Sequence, residues 1–419
     1  MHASSRAREL RERAYRALLA RRSLSSFFNS LTQQYVNVYV VELGFSERDV
    51  GVIGSAASFL AALPSALMSL LADLRSRRSA YLIGILLEAI SPLAYFIDGG
   101  IHWLVLAGTL GVVSFFGLRG VENILIADTV KGSRRAFAIG LANSLSILAS
   151  ILAPLIAAHI VSAMGGISAE GIRPLFMLQF LGLAVASLPA LLAVRDVRVI
   201  GGVGLWGSVA SSLELLRLNP WLRRWILLES LGGYVFSMSM PFQMIYAVRV
   251  KGADEFTVGY MGLALNLGTI ASSPLVGRLA DRIGRVKTIL LLRPLYYASV
   301  LMLVLAPARE YLIAAWLVRG VFFSSAAAFQ TLALELVPYE YRGRWSAVRS
   351  FIAMLARSPA PLVGGYLYAL VAPEAPFILA IIVDLTLRVP LIHSMPETLN
   401  RREYLSAFKE PVKRHPLSQ

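Results

Sequence analysis

Twelve apolar runs, most near the roughly 20 residues that a helix needs to cross a bilayer, constrain this chain more than any other feature. They fall at about 23–43, 50–72, 79–97, 103–128, 136–163, 174–194, 224–248, 256–277, 288–306, 311–337, 345–371 and 376–394. Strands of a membrane barrel would alternate apolar and polar residues over about ten positions, and these runs do not. A lipid-embedded segment has no water for its backbone and must satisfy its own N–H and C=O groups, so the runs predict helices. A soluble chain of 419 residues would need a polar skin, yet 57% of the residues are hydrophobic and 16% charged. The expected fold is an all-α membrane protein with twelve transmembrane helices. Cysteine is absent, which excludes disulfides and thiolate metal sites.

The basic residues orient the runs. Seven arginines from Arg6 to Arg22, the alternate loops and the tail place thirty Lys and Arg on one side; only Arg48, Arg173, Arg249, Lys251 and Arg309 fall on the other. The asymmetry predicts both termini in the cytoplasm of a multi-pass protein of the cell membrane. It also accounts for the net charge of +15 without nucleic acid, because a DNA reader carries its basic face on a soluble domain. Ala7, Leu10, Ala14 and Leu18 recur at helical spacing among the first arginines, as in an interfacial helix. The favoured reading is a positive flank that orients the first run. That run is too long for a signal peptide core and carries Asn29, Gln33 and Asn37.

The chain repeats itself. Gly44, Val50 and Gly51 recur as Gly252, Val258 and Gly259, and Leu71-Ala72-Asp73 as Leu279-Ala280-Asp281, all offset by 208. Asp128 matches Glu335, Arg135 matches Arg342, and Ala153-Pro154-Leu155 matches Ala360-Pro361-Leu362, all offset by 207. A constant offset at separated places predicts two similar halves. The expected organisation is a basic segment at 1–22, a six-helix bundle at 23–195, a linker at 196–220, a second bundle at 221–396 and a tail at 397–419. The linker holds Gly201, Gly202 and Gly204 and an amphipathic stretch from Trp206 to Leu218. A same-orientation repeat implies a pseudo-twofold axis along the membrane normal, with a solute site between the halves near the midplane.

Residues 277–285 read Gly-Arg-Leu-Ala-Asp-Arg-Ile-Gly-Arg, and the first-half copy at 69–78 keeps Leu71-Ala72-Asp73 while Ser69, Ser76 and Leu74 replace two glycines and an arginine. Together with the spans and the repeat, this resembles the major facilitator superfamily, whose loop between spans two and three carries this pattern. Ala153-Pro-Leu-Ile-Ala-Ala158 and Ala360-Pro-Leu-Val-Gly-Gly365 are similar to the G-P-x-x-G-G of its drug–proton antiporter branch, with alanine at every glycine position of the first. Gly277 removes a side chain where two helices can press together. Asp281 ends a helix whose dipole disfavours an anion. It therefore needs cations or another helix N-terminus, and Asp73, Gly277, Asp281, Arg282 and Arg285 are expected to form a conformational latch.

Ionisable and polar groups inside the runs mark the candidate pathway. The resemblance implies that spans one, four, seven and ten line the cavity. Asn29, Gln33 and Asn37 form a polar stripe on span one; Arg119, Glu122 and Asn123 lie on span four; Glu229, Tyr234 and Gln243 on span seven; Arg319 on span ten. Ser237 adds a further polar group to span seven, and Met238, Met240 and Met244 an adaptable apolar wall. Arg119 and Glu122, three apart, are expected to neutralise each other. Glu122 is the expected proton-coupling carboxyl and Glu229 the fallback. Glu88, Arg357 and Asp384 read as structural pairs, Arg388 as snorkelling to the surface, and His159 as hydrogen-bonded packing.

The expected function is secondary active transport, with proton-coupled export of small amphipathic compounds ahead of uptake of a sugar, organic acid or other metabolite. A non-transporting membrane sensor is a remote alternative. The chain lacks G-x-S-x-G, H-E-x-x-H, metal-ligand clusters and a phosphate loop, so neither an enzyme nor an ATP-driven pump is expected, and no cofactor. The expected partners are a small-molecule substrate, protons and the lipid bilayer, with the carrier a monomer.

Overall fold

A computed structural model describes residues 2–74, 76–97, 99–130, 135–194, 219–337 and 342–399. Its regular elements group into twelve helical segments. In the first half these are α1 (His2–Thr32, then Val36–Glu42 past a turn), α2 (Glu47–Leu74), α3 (Arg77–Ile97), α4 (Ile101–Val113, a π-helical turn Ser114–Leu118, then Arg119–Thr129), α5 (Arg135–Ser150 and Ala153–Ala163) and α6 (Ala169–Ala193). The second half gives α7 (Pro220–Arg249), α8 (Glu255–Ile283), α9 (Arg285–Leu305), α10 (Glu310–Phe323 and Ala326–Glu335), α11 (Arg342–Arg357 and Ala360–Leu370) and α12 (Ala375–Val383, a π-helical turn Asp384–Arg388, then Val389–His393). Eight of them, α2 to α6, α9, α10 and α12, are long and apolar enough to cross a membrane. The glycine-rich linker and its amphipathic stretch lie outside the described residues, as does the tail from residue 400.

Helix contacts repeat every six segments. Contacts of α2 with α4, α3 with α4 and α1 with α5 recur as α8 with α10, α9 with α10 and α7 with α11. Between halves, α2 packs on α11 and α8 on α5. This seam is built from the repeated glycines and prolines. A Cβ added at Gly51 would stand 2.6 Å from the Pro361 carbonyl oxygen, and one at Gly259 would stand 2.7 Å from the Ala158 Cβ. Gly54 faces Pro361 and Gly262 faces Pro154 in the same exchanged relation. Small residues let backbones approach closely enough for dispersion and carbonyl contacts to hold the crossing.

The hydrogen bonds between halves lie on the same seam or at the Gly44–Gly252 end beside it. Arg249 reaches the Val41 carbonyl and Glu42 at 3.4 and 3.3 Å, Tyr35 donates to the Glu255 carbonyl at 3.2 Å, Ser55 accepts from Leu362 N–H at 2.8 Å, and Asn266 donates to the Ser150 carbonyl at 3.1 Å. Gly44 and Gly252 both take positive φ, 95° and 69°, where a side chain is strained. Asp254 then caps α8, accepting from Thr257 N–H at 2.8 Å. Burial alone would raise the Asp254 pKa, but the Thr257 hydrogen bonds and the Arg309 charge hold it below its ordinary value.

Candidate functional site

The π-helical turn of α4 widens the helix by one residue, a local device common at functional sites. Its Phe115 and Phe116 rings meet edge to face, with centroids 4.9 Å apart. Three adjoining cavities surround them. One of about 480 Å³ in the first half is bordered by Asn29, Gln33, Glu88, Phe115, Phe116 and Arg119. A second, about 460 Å³, lies between the halves and is bordered by Asn37, Tyr95, Phe115, Phe236, Met240 and Arg357. The third, about 350 Å³, belongs mainly to the second half, with Phe116, Glu229, Phe236, Arg293, Arg357 and Arg388 in its wall. Phe115, Phe116, Phe236 and Arg357 are each shared by two of the cavities. The Arg119 guanidinium carbon lies 5.1 Å from the Phe115 centroid, and that of Arg357 4.4 Å from the Phe116 centroid. Among the described residues, neither arginine has a carboxylate within ion-pair distance.

Glycines at 232 and 233 make room for the cations of the third cavity. A Cβ at Gly233 would meet the Arg357 Cδ at 3.2 Å, and one at Gly232 would overlap the Arg388 guanidinium. The α12 residues Asp384 and Arg388 bracket the second π-helical turn. Asp384 is fully buried and accepts from Arg293 at 3.0 Å, Arg388 at 3.2 Å and Tyr297 at 2.6 Å. Both oxygens of Glu229 accept from Arg349 Nη1, at 2.7 and 2.9 Å, and Trp225 donates to the same carboxylate. Arg349 also binds Gln330 at 2.9 Å.

The first half has its own network. Arg21 bridges two carboxylates, donating to Glu122 at 2.9 Å and to Glu88. Tyr81 donates to Glu122 as well, at 3.2 Å. Arg22 splits its guanidinium between Asn123 at 2.7 Å and Asn143 at 2.6 Å. Glu88 faces the first cavity and accepts from Asn29 at 3.0 Å; Gln179 donates to Asn29 at 2.7 Å.

Several sequence expectations change against this geometry. Arg119 does not meet Glu122: the carboxylate is claimed by Arg21, and Arg119 turns to the cavity. Arg21 and Arg22 are not flanking charges, because the first helix runs unbroken across residue 22 and packs both guanidinium groups inside the half. The polar stripe on α1 is interrupted by the turn at residues 33–35, so Gln33 and Asn37 border different cavities. Tyr234 borders none of the three cavities and packs against an apolar cluster with Met238, Ala360 and Ala380. Gln243 is buried against Arg319, which also donates to Ser299 at 3.3 Å and lies over Trp316 at 4.3 Å; neither borders the three cavities. Arg388 does not snorkel, since Asp384 holds it inside. Arg357 lacks the carboxylate partner expected of it. His159 is exposed, with its Nδ1 2.8 Å from the Leu155 carbonyl oxygen and its ring edge-on to Phe256 across the seam.

The latch residues meet within one half. Asp281 pairs with Arg285 at 2.9 Å, Arg285 approaches Glu335 at 3.6 Å, and Arg77 with Asp128 forms the first-half equivalent of that last contact. Gly277 faces open space, so its expected role in close helix packing does not hold here. Arg282 is exposed, and the Asp73 side chain lies outside the described residues.

Sequence reasoning missed Arg21, Arg22, Arg293 and Arg349 as network members. The repeat register carried one usable signal: Arg21 plus 208 is Glu229, so corresponding positions on α1 and α7 both carry buried charge.

A helical chain whose cavities are bordered by both halves of an internal repeat has the architecture of a polytopic solute carrier. The Major Facilitator Superfamily profile matches residues 22–261 and 229–398, and the chain belongs to that family of transporters. Solved structures with the same fold include the nucleoside transporter NupG (TM-score 0.72, 13% identity, 91% of this chain and 99% of that one). Others are a POT family transporter in complex with 5-aminolevulinic acid (0.68, 14%, 91% and 95%) and a bacterial homologue of the human lysosomal transporter Spinster, inward-facing and unoccupied (0.64, 16%, 95% and 94%). No curated protein matches the sequence.

Proposed function

We propose that this protein is a secondary active transporter that works by alternating access, with twelve spanning helices in two six-helix bundles and both termini cytoplasmic. The observation that carries the reading is the ring of adjoining cavities around Phe115 and Phe116, walled by both halves, two of which share Arg357. Proton-coupled export of small amphipathic compounds fits the aromatic and Met240 lining. Purified protein in proteoliposomes should give saturable, gradient-driven flux of a solute that also raises its thermal stability. Flux that is linear in solute concentration would point to a channel, and inward-directed flux coupled to proton entry to the uptake alternative.

Topology has a direct test. Single cysteines at Ser4 and Ala253 should react from opposite faces of sealed vesicles; labelling from one face would overturn the arrangement.

We propose Glu88, ahead of Glu122, as the proton-coupling carboxyl. Glu122 lies away from the cavity, with Oε1 accepting from Arg21 and Tyr81 and Oε2 3.8 Å from Arg22, whereas Glu88 borders the cavity and shares Arg21. Glu88→Gln is expected to abolish the pH dependence of net transport while solute exchange persists, and Glu122→Gln to retain it. The reverse pattern would return coupling to Glu122.

The Asp281 latch would form when the Asp73–Asp281 end closes. Asp281→Asn should lower turnover several-fold with little change in solute affinity, measured by comparing exchange with equilibrium binding. Unchanged turnover would leave Asp281 as a local helix-end pair with Arg285.

A further inference from the structure

The networks and cavity walls described above hold eight arginines, Arg21, Arg22, Arg119, Arg293, Arg319, Arg349, Arg357 and Arg388, against four carboxylates, Glu88, Glu122, Glu229 and Asp384. The first-half network balances within itself. The excess lies along the cavity ring and in the second half, where Asp384 serves two arginines and Glu229 is held by Arg349. Arg357 is the cation best placed to take a ligand. It borders two cavities, makes no hydrogen bond or ion pair among the described residues, and lies over the Phe116 ring, while Glu229 in the same cavity wall is already held by Arg349. Its position depends on Gly233, whose missing side chain leaves the space that the Arg357 stem fills.

Uncompensated positive charge at membrane depth is expensive, so such sites persist where a mobile anion completes them. The same walls carry Phe115, Phe116 and Phe236, which offer flat apolar surface beside the guanidinium. From this arrangement we infer that the transported solute is an amphipathic organic anion. Its anionic head is bound by Arg357, its apolar or aromatic body lies on Phe115, Phe116 and Phe236, and Arg119 is the second cation at the ring. The inference rests on the carrier reading and narrows its substrate class. A carboxylate and a phosphate ester would satisfy the guanidinium alike, since both accept paired N–H donors.

Binding is tested on the whole protein in detergent with four probes that share one ring system: 2-naphthoate, 2-naphthyl phosphate, neutral 2-naphthamide and cationic 2-naphthylmethylammonium. Thermal stabilisation is read across a concentration series at fixed ionic strength. One or both anions should stabilise the protein, and the amide and ammonium should not; the ratio of the two anions separates carboxylate from phosphate chemistry. Arg357→Gln should weaken the anion by roughly tenfold or more, Arg119→Gln by less, and Arg357→Lys should recover part of the loss. The melting point of each variant without probe controls for folding. Equal stabilisation by all four probes, preference for the ammonium, no stabilisation by either anion, or an anion response unchanged in Arg357→Gln would each overturn the inference. Flux in proteoliposomes separates the two levels. Saturable flux of a neutral or cationic solute untouched by Arg357→Gln would leave the carrier and remove the anion. Anion binding without flux of any probe would leave the site and count against the carrier.

Discussion

Arg21→Met is expected to lower the stability of the protein by about 3–5 kcal/mol, the largest effect of any single substitution considered. Arg21 is the cation between Glu88 and Glu122, with Glu122 nearly fully buried. Removing it leaves two carboxylates that repel each other at a depth where each must be neutralised or hydrated. Arg21→Lys retains the charge but not the planar fork that reaches both partners, so its loss should be intermediate. Adding Glu88→Gln and Glu122→Gln to Arg21→Met removes the uncompensated anions and should restore a large part of the stability, because the members of one network are strongly coupled. The measurement is the melting temperature of purified protein and its monodisperse yield. An Arg21→Met protein as stable as the parent would mean that the bridge is decorative.

Closing off the seam should have the second large effect. Gly51→Ala and Gly259→Ala each place a methyl inside contact distance of the opposite half, against the Pro361 carbonyl and Ala158. Overpacking of this kind costs about 1–3 kcal/mol, and here the cost falls only on the state in which the seam is closed. Alternation depends on the balance between states, so a differential cost of that size shifts their ratio by roughly 5–150-fold. Net turnover should fall accordingly, and cysteine labelling at the Gly44–Gly252 end should rise. The two substitutions should behave alike, since the contacts are exchanged copies of each other. Gly277→Ala is the control: the site is open, and all three changes bring the same gain in helix propensity. Normal turnover in both seam variants would show that the crossing is not required to separate and re-form.

The repeat was the most legible feature of the chain because it needs no geometry. A constant offset of 207 or 208 residues located both copies of the seam, and the helix contacts repeat with the same period. The family followed from the loop pattern at 277–285. Charge placement was legible in part only. Counting basic residues before an apolar run assigns them to the flank, and Arg21 and Arg22 were lost that way because their partners lie on α3, α4 and α5. The Arg119–Glu122 pairing failed because spacing along one helix says which groups can meet, whereas a neighbouring helix decided which do. Arg357 and Arg388 depend on two adjacent glycines of α7, a fit between distant segments that carries no local signal. Gly277 shows the converse, a motif glycine whose surroundings in this conformation do not require it.

The wide separation of the first-half network in sequence sets an order of assembly on the ribosome. Arg22 donates to Asn143, 121 residues downstream, and Arg21 to Glu122, 101 residues downstream. At about 5–20 residues per second, Glu88, the first carboxylate partner of Arg21, follows 67 residues later, roughly 3–13 seconds, and the set is complete only with Asn143, roughly 6–24 seconds after Arg22. Until Glu122 and Asn143 are made, α1 carries cations whose network is incomplete at the end of its apolar run, and settling fully in lipid is costly. The first helix to emerge is thus among the last of its half to be seated. Docking it must wait for α5, which makes the N-terminal half a unit that is completed in one late step rather than helix by helix.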